Sequence, residues 1–552
     1  MSTIMSTSIG DTGPLLVLAV VATMTYFLAR NIFGHDPCEP PLVPSSIPLI
    51  GHVVGLSRSS FNYYVELSKQ TDAPIFTVSL PGQKMYVVTK PELIQQAQKQ
   101  HRALAFPPIE AKFATTVVGL SKEAQAILAR NVNGDEGAHG LSMETYAAMR
   151  AALHPGPALD DLNRAMLAEV GKALDRLLEP GPAAAGVVGE TPRTARKLGL
   201  YAWLRDNLTT ATTRAVYGPL NPFDDKEVAD AFWEFEGGLM AILVGVLPSI
   251  TARKPVAARA EVARAFEAYY RAGGVREASA YARNRYQVEV DNKFPLADTA
   301  RSSVGGTIAV LVNTVPSVFW TLLHLYHHPG LLREVRDEVD ACIQNSDSTD
   351  PGYSSANTET TVRLIDMVSL KEQCPLLLSA YQEVLRYRTI GASVREVMED
   401  TYLGPYLLKK GSMLQMPSRV IHTDETLWGD TGFNPRRFLA AEKKNRPRDV
   451  CFRAFGGGKT LCPGRHLATN EVLANVALFV ARFDMKPVDG AGWKFPTTAN
   501  TNVAAAVMGP DSDIEVEIAM REGSQGVRWA VSLEASDKTF AIVTEDVVGE
   551  QN

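Results

Sequence analysis

Near the N-terminus lies an uncharged, mostly apolar run from Thr12 to Ala29, which has Asp11 before it and Arg30 after it. As a helix this run would rise about 27 Å, just enough to cross the hydrocarbon core of a bilayer. A cleaved signal peptide is the alternative, but no Lys or Arg precedes the run. A positive charge after the run favours an uncleaved anchor with the rest of the chain on the cytosolic side. The pattern therefore predicts a membrane anchor over residues 1–36.

Proline dominates the next segment, Pro37 to Pro48, in which five of twelve residues are proline. Proline fixes φ and lacks an N–H, so this composition excludes a helix and favours a stiff, extended connector. An ordinary irregular surface loop is the alternative. We prefer a hinge because a predicted anchor precedes the segment.

Farther along, the pattern predicts mostly helices, with a small β portion near the N-terminus. A helix is predicted over Phe61 to Gln70, and two strands, Pro74 to Leu80 and Lys84 to Thr89, flank the Pro81-Gly82 turn. The other predicted helical regions are one that opens at Pro91, an Ala-rich stretch at residues 140–285 and a long apolar run from Gly305 to His328. Proline clusters break the Ala-rich stretch at Pro155 to Pro157, Pro180 to Pro182 and Pro219 to Pro222.

Composition narrows the function classes. The 552 residues carry a net charge of −6 and have a pI of about 6.0, so no basic bias argues for nucleic acid as a partner. The number of cysteines is odd and no C-x-x-C pair occurs, which suits a reducing compartment and gives no disulfide framework. The five are Cys38, Cys342, Cys374, Cys451 and Cys462.

One cysteine stands in a distinctive setting, because Cys462 follows three consecutive glycines and precedes Pro463-Gly464. Glycine has no Cβ, so a flat, bulky group can lie close to such a backbone. A thiolate held there is a soft ligand suited to iron, including haem iron. The helix predicted over Arg465 to Ala474 would favour an anionic sulfur through its N-terminal dipole. A buried thiol in a Gly-rich loop is the alternative.

The order Phe455, Gly458, Cys462, Gly464 matches the signature F-x-x-G-x-x-x-C-x-G, so the chain resembles a microsomal cytochrome P450. The resemblance implies a mainly α fold with a small β portion, in one catalytic domain over residues 37–552 with the proline-rich hinge at its start. It also implies haem as the cofactor, with Cys462 as the iron ligand and the other three residues beside the haem. Arg395 stands where the family usually has an arginine for a haem carboxylate. Pro463 offers no N–H to the sulfur, which predicts a more electron-donating thiolate.

Two further motifs supply a structural brace. Glu383 and Arg386 lie three apart, so on a helix they share a face and can pair. The pair matches the family's E-x-x-R motif. Arg437 falls at the arginine of F-x-P-x-R-F. A buried Glu between two guanidinium groups would brace the core behind the haem loop, and we assign these three residues no chemical step.

The apolar run from Gly305 to His328 contains the candidate catalytic pair Asn313 and Thr314, followed by Pro316. Proline in a helix frees the carbonyl four residues earlier, so an amide, a hydroxyl and a carbonyl would line a groove able to hold dioxygen and water. A kinked core helix with satisfied polar groups is the alternative. The family's usual A/G-G-x-D/E-T reads here Val-Leu-Val-Asn-Thr, similar to sterol 7α- and 12α-hydroxylases and prostacyclin synthase. Asn cannot titrate as an acid does.

The function implied by the resemblance is monooxygenation of a lipophilic substrate, such as a sterol or terpenoid. The implied partner is NADPH-cytochrome P450 reductase, and the implied location is the endoplasmic reticulum membrane, single-pass, with the catalytic domain cytosolic. A haem-thiolate isomerase or dehydratase acting on a peroxide is one alternative, and a haem-binding protein without turnover is another. By position in the family, the pocket should be lined by Phe106 to Thr116, Leu220 to Ile250, Ile390 to Val394 and Thr501 to Val507.

Overall fold

The computed structural model describes residues 34–533, except 46, 48–49, 60, 138, 179–194, 245–247, 347–361, 491 and 500–504. The predicted anchor run, Thr12 to Ala29, lies outside the described residues. The chain divides into two compact units, and each is described by itself. The first comprises residues 1–105 and 392–420, and the second comprises residues 106–391 and 421–552.

The first unit is built on a five-stranded sheet. Its strands are β1 (Ile75–Leu80), β2 (Gln83–Val88), β3 (Leu104–Ala105), β7 (Ala392–Val397) and β10 (Met413–Pro417), in the order β1-β2-β10-β7-β3. The β2–β10 pair is parallel and the other pairs are antiparallel. A separate hairpin pairs β8 (Thr401–Leu403) with β9 (Tyr406–Leu408). Helices α1 (Gly51–Ser59), α2 (Asn62–Ser68) and α3 (Pro91–Lys99) accompany the sheet.

Local patterning in this unit is confirmed. The predicted hairpin pairs Ile75 with Val88 through Leu80 with Gln83, and Gly82 takes the positive φ of 75° that the turn needs. The proline-rich segment contains no helix among its described residues. It is held to the sheet by the Thr77 hydroxyl, which donates to the Pro40 carbonyl at 2.7 Å. The predicted connector is therefore anchored to the sheet.

The second unit is mainly helical. Its described α-helices are α4 (Pro107–Phe113), α5 (Lys122–Leu128), α6 (Leu141–Leu153), α7 (Pro157–Asp175), α8 (Leu200–Tyr217), α9 (Lys226–Gly237), α10 (Leu239–Val244), α11 (Pro248–Thr251), α12 (Arg253–Arg271), α13 (Ala280–Asp291), α14 (Leu296–Leu311), α15 (Thr314–His327), α16 (Pro329–Ala341), α17 (Met367–Gln373), α18 (Pro375–Arg388), α20 (Glu425–Trp428) and α21 (Arg465–Arg482), with α19 (Ser418–His422) leading in from the first unit. The breaks predicted at residues 155–157 and 219–222 fall between helices. The break predicted at residues 180–182 lies outside the described residues.

The hydrophobic pattern predicted β structure only near the N-terminus, but strands also occur in the second unit. In the second unit, β11 (Phe483–Pro487) and β4 (Ala195–Gly199) flank β12 (Glu515–Met520). A second sheet joins β5 (Ile343–Ser346), β6 (Val362–Asp366) and β13 (Arg528–Ser532), and β13 runs parallel to β6. The segment after Arg521 therefore contributes a strand. Most of the paired strands in these two sheets lie far apart in sequence, so no turn signal between them predicts their pairing.

The long apolar run is two helices rather than one. α14 ends at Leu311 and α15 begins at Thr314, so Val312 and Asn313 form the break. Pro316 lies in the first turn of α15, where its missing N–H is tolerated. Of the described residues, only Leu296–His327 is long and apolar enough to cross a membrane by length and composition. However, 78% of its most apolar window is buried within the protein. This helix pair therefore forms part of the core of the second unit.

Candidate functional site

The loop that carries Cys462 is shaped by its glycines. Gly456 and Gly458 have φ values of 82° and 62°, in the left-handed region that a side chain disfavours. The loop closes where the Cys462 N–H donates to the Phe455 carbonyl at 3.0 Å. The predicted residues Phe455, Gly458, Cys462 and Gly464 therefore lie in one compact turn just before α21.

Two backbone N–H groups face the Cys462 sulfur, those of Gly464 and Arg465 at the start of α21. Burial raises the pKa of the thiol, whereas these two N–H groups and the Arg465 guanidinium act in the opposite direction. Pro463 offers no N–H, but the two residues after it do. A Cβ added at Gly464 would lie 3.9 Å from the sulfur. The thiol is therefore held by hydrogen bonds in a residue that is half-buried as a whole.

A residue that sequence analysis missed also fixes this loop. The Tyr146 hydroxyl on α6 lies 3.0 Å from the carbonyl oxygens of both Lys459 and Leu461, which share its single proton. On the helix side, Arg465 Nη1 donates to the Cys462 carbonyl at 3.1 Å. The carbonyls on either side of the cysteine are therefore tied to side chains. The signal for Tyr146 is weak, because one tyrosine in an Ala-rich helix has no distinctive spacing.

The three predicted brace residues come together. Arg386 binds Glu383 through two hydrogen bonds, Nε to Oε2 at 2.8 Å and Nη2 to Oε1 at 2.7 Å. Arg437 Nε lies 3.1 Å from Glu383 Oε2, and the Asn434 N–H donates to Oε1 at 2.9 Å. Glu383 and Arg386 are fully buried. Both guanidinium groups also donate hydrogen bonds to backbone carbonyls, including that of Gly432. The cluster therefore ties α18 to the segment before the cysteine loop.

Asn313 lies at the break between α14 and α15, and its amide oxygen is already engaged. Oδ1 accepts hydrogen bonds from the backbone N–H groups of Ala506 at 2.8 Å and Val507 at 3.1 Å. An Asn at a helix N-cap usually caps its own first turn. Here that turn contains Pro316, and the side chain reaches to another segment instead. The Asn313 Nδ2 group remains as a donor beside Thr314, which is buried as the first residue of α15.

Arg395 lies in the first unit, in the middle of strand β7, where it pairs in register with Leu414. The side chain is buried, and its Nη1 donates to the Val394 carbonyl at 2.7 Å. Its assignment to a haem carboxylate stays a prediction from the family motif.

One cavity of the second unit is lined in part by one of the four segments predicted to line the pocket, and the other three segments stay predictions. Phe106 to Thr116 contributes Glu110, Phe113 and Ala114. The rest of the wall comes from α5, α6, α13, α14 and the residues between them, which sequence analysis did not place there. These walls include three polar side chains on α13, those of Tyr281, Arg285 and Glu289. The sequence signal for α13 was weak because its polar residues alternate without a clear apolar face.

A buried acid on α21 offers a test of the packing behind the loop. Glu471 is 1% exposed and accepts a hydrogen bond from the Thr212 hydroxyl on α8. Burial raises the pKa of Glu471 from 4.5 to about 7, although the Thr212 hydroxyl acts in the opposite direction. The carboxyl therefore holds its proton in the folded protein to a higher pH than in the unfolded chain.

Glu471→Gln should stabilise the protein by an amount that grows from about pH 4.5 and is complete above about pH 7. A folded pKa raised above the unfolded value lowers stability progressively between about pH 4.5 and 7, by about 3 kcal/mol in total. Glutamine removes this loss, so urea unfolding should give little difference near pH 4.5 and the full gain near pH 8. An equal change at both pH values would contradict the assignment of a raised pKa to Glu471.

Comparisons with known proteins agree with this geometry. The family model described as "Cytochrome P450" matches residues 281–511. The chain is 34% identical over 518 residues to cytochrome P450 monooxygenase nodJ of Hypoxylon pulicicidum, covering 92% of this chain and 95% of that protein. It is 25% identical over 504 residues to the human 7-alpha-hydroxycholest-4-en-3-one 12-alpha-hydroxylase, covering 86% and 92%. A structure titled "Retinoic acid bound cyanobacterial CYP120A1" covers 88% of this chain and 100% of its own, with a TM-score of 0.62 at 16% identity, which indicates the fold alone.

Proposed function

The chain belongs to the cytochrome P450 family and is an enzyme, and from this premise we propose that it monooxygenates a lipophilic substrate with electrons from NADPH-cytochrome P450 reductase. Within the proposed sterol or terpenoid class, a sterol is supported by the similarity to the human 7-alpha-hydroxycholest-4-en-3-one 12-alpha-hydroxylase. The proposed location is the endoplasmic reticulum membrane, supported by the apolar run from Thr12 to Ala29. The observation that carries the proposal is the Cys462 thiol, which two backbone N–H groups support within a glycine loop.

The residues of the loop fit haem. The Cys462 thiol at the start of α21 can ligate iron, because it stands in the glycine loop with two backbone N–H groups to support a thiolate, whereas Cys38, Cys342, Cys374 and Cys451 lie outside that loop. Gly458 and Gly464 leave backbone without side chains on either side of Cys462, next to Phe455. Haem, when bound, supplies the electron-transfer and oxygen chemistry that no side chain provides. Arg395 is proposed as a partner of a haem carboxylate on the family motif.

The residues assigned to handling oxygen and protons are Asn313 and Thr314. We propose that Asn313 Nδ2 and the Thr314 hydroxyl hold a water that delivers protons, because the amide cannot ionise. The Asn313 Oδ1 atom meanwhile accepts hydrogen bonds from the N–H groups of Ala506 and Val507. The same side chain would therefore hold both this segment and the water. Pro316 has no N–H to offer the Val312 carbonyl, which gives the water a further acceptor.

The proposed function is tested by reconstitution. The haem-loaded protein is incubated with a lipophilic metabolite extract in four mixtures, with and without NADPH and with and without reductase, and products are followed by mass spectrometry. We expect a gain of one oxygen atom only when both NADPH and reductase are present. Full turnover of a peroxide substrate without reductase would instead support the isomerase, and the absence of any product would support a haem-binding protein without turnover.

Asn313→Leu should raise the release of hydrogen peroxide relative to product severalfold, because it removes the group that holds the water. It also leaves the N–H groups of Ala506 and Val507 without an acceptor, which costs about 1–3 kcal/mol for each buried group. Peroxide and product are quantified against NADPH consumed.

Asn313→Asp is the matched variant for this experiment. It keeps an oxygen for Ala506 and Val507 and supplies a group that can itself hold water. We therefore expect coupling close to that of the parent. Parent-like peroxide release by the Leu variant would remove Asn313 from the proton path.

A further inference from the structure

A cavity of about 180 Å³ lies within the second unit, between α4, α6, α13 and α14. Most of its wall is apolar, with side chains that include Phe113, Val118, Leu141, Met149 and Phe294. An engineered apolar cavity of about 150 Å³ is large enough to hold benzene. This cavity therefore has room for one ring-sized apolar group.

One wall of this cavity carries a carboxyl group that has no partner. Among the described residues, no hydrogen bond or ion pair reaches the Glu110 side chain on α4, although it lines the cavity. Burial raises the pKa of Glu110 to about 7, and the nearby Arg285 guanidinium acts in the opposite direction. Glu110 as a whole is half-buried, so a ligand that fills the cavity would exclude water from the carboxyl, and a donor on that ligand would offset the cost of leaving it unpaired.

The polar groups of α13 are, in contrast, tied to α14. Glu289 Oε1 accepts from the Ser302 hydroxyl at 2.6 Å, and Arg285 Nη2 donates to the Ser302 carbonyl and hydroxyl, both at 3.2 Å. Gly306 makes room for this arrangement, since a Cβ there would lie 1.6 Å from Arg285 Nη1. Arg285 and Glu289 are therefore fixed within the protein, whereas the Glu110 carboxyl and the smaller hydroxyls of Ser142 and Thr145 in the same wall can meet a ligand.

The charge of this group favours a neutral ligand. Burial also raises the pKa of Glu289 to about 7, against the effects of Arg285, Ser302 and Thr299. Both carboxyls have a raised pKa, so the negative charge that they present beside the Arg285 guanidinium near neutral pH is reduced. A charged ligand would have to lose its hydration without a net opposite charge to receive it.

We propose that this cavity binds a ring-sized part of a lipophilic ligand that carries one neutral hydrogen-bond donor, a hydroxyl or N–H, which donates to Glu110. The apolar wall supplies affinity through burial, and Glu110 supplies selectivity, because a ligand without the donor leaves the carboxyl unpaired. The proposal rests on the proposed function and deepens it, since it names the polar group that one part of the lipophilic ligand carries and the residue that recognises it.

The test uses three small probes of matched size on the haem-loaded protein, with neither reductase nor NADPH present. Para-fluorophenol carries the neutral donor, para-fluorotoluene lacks it, and para-fluorobenzylamine is cationic. Dissociation constants are measured by fluorine NMR. We expect the phenol to bind about tenfold more tightly than the toluene, as one hydrogen bond to a buried carboxyl predicts. Because no turnover is needed, failure here is distinguishable from failure of the proposed function.

Two variants localise the preference. Glu110→Leu should abolish the advantage of the phenol, and Glu110→Gln, which keeps an acceptor oxygen, should retain most of it. Glu123→Leu, on the exposed start of α5, is the control and should leave the preference unchanged. Equal binding of phenol and toluene by the parent would overturn the proposal, and that comparison needs no variant. A phenol preference that survives in Glu110→Leu, or a Glu110-dependent preference for the amine, would also overturn it.

Discussion

Replacing Cys462 with serine should abolish the reduced carbon-monoxide spectrum that is typical of thiolate-ligated haem, and with it all reductase-driven turnover. A hydroxyl is a much poorer ligand for haem iron than a thiolate. The N–H groups of Gly464 and Arg465 favour an anionic sulfur, whereas a serine hydroxyl stays neutral. The measurement is a difference spectrum of reduced protein with and without carbon monoxide, normalised to total haem.

The matched controls are serine variants of the other cysteines. Cys451, Cys342 and Cys374 are buried outside the loop, and the sulfurs of the last two lie 3.5 Å apart. Their replacement should change stability at most and leave the spectrum of the folded fraction unchanged. An unaltered thiolate spectrum in the Cys462 variant would remove this residue from the iron site.

Much of the site could be predicted because its signals are local. The cysteine loop is recognised from ten consecutive residues, in which glycine, cysteine and proline restrict the backbone to few conformations. The E-x-x-R pair follows from helical spacing alone. The hydrogen bonds of Tyr146 and the acceptor role of Asn313 could not be predicted, because each joins segments more than 190 residues apart.

The fold, like the site, has elements that local sequence signals predict and elements that depend on contacts between distant segments. The hairpin from Ile75 to Val88 was predictable, because a turn signal sits between two short strands. The strand at Arg528–Ser532 was not, since its partner at Val362–Asp366 lies in a distant part of the chain and pairs in parallel. Strand pairing of this kind depends on tertiary packing, which a hydrophobic pattern does not encode. At Val312–Asn313 a local opening within one helix was predicted, with a kinked core helix as the alternative, whereas the chain breaks into two helices there. Proline indicates a disturbance of the helix but not its extent.

The second large effect is expected at Glu383. Replacing it with alanine leaves the buried guanidinium of Arg386 and that of Arg437 without their carboxylate, and it removes the acceptor for the Asn434 N–H. Breaking a buried ion pair in this way costs about 3–5 kcal/mol, a large part of the stability of an ordinary domain. We expect little soluble, haem-loaded protein. Glu383→Gln, which keeps the shape and one acceptor oxygen, should give enough protein for urea unfolding.

The chain provides a matched control, because Arg164 and Asp161 form a pair with the same spacing of three on helix α7. Their Nη1 to Oδ1 distance is 2.6 Å, close to that within the Glu383 pair, but the two side chains are 48% and 74% exposed. Water screens that pair, so Asp161→Ala should cost less than about 1 kcal/mol. The contrast isolates burial and the second arginine as the cause. If Glu383→Gln and Asp161→Ala shift the urea midpoint equally, Glu383 does not brace the core behind the cysteine loop.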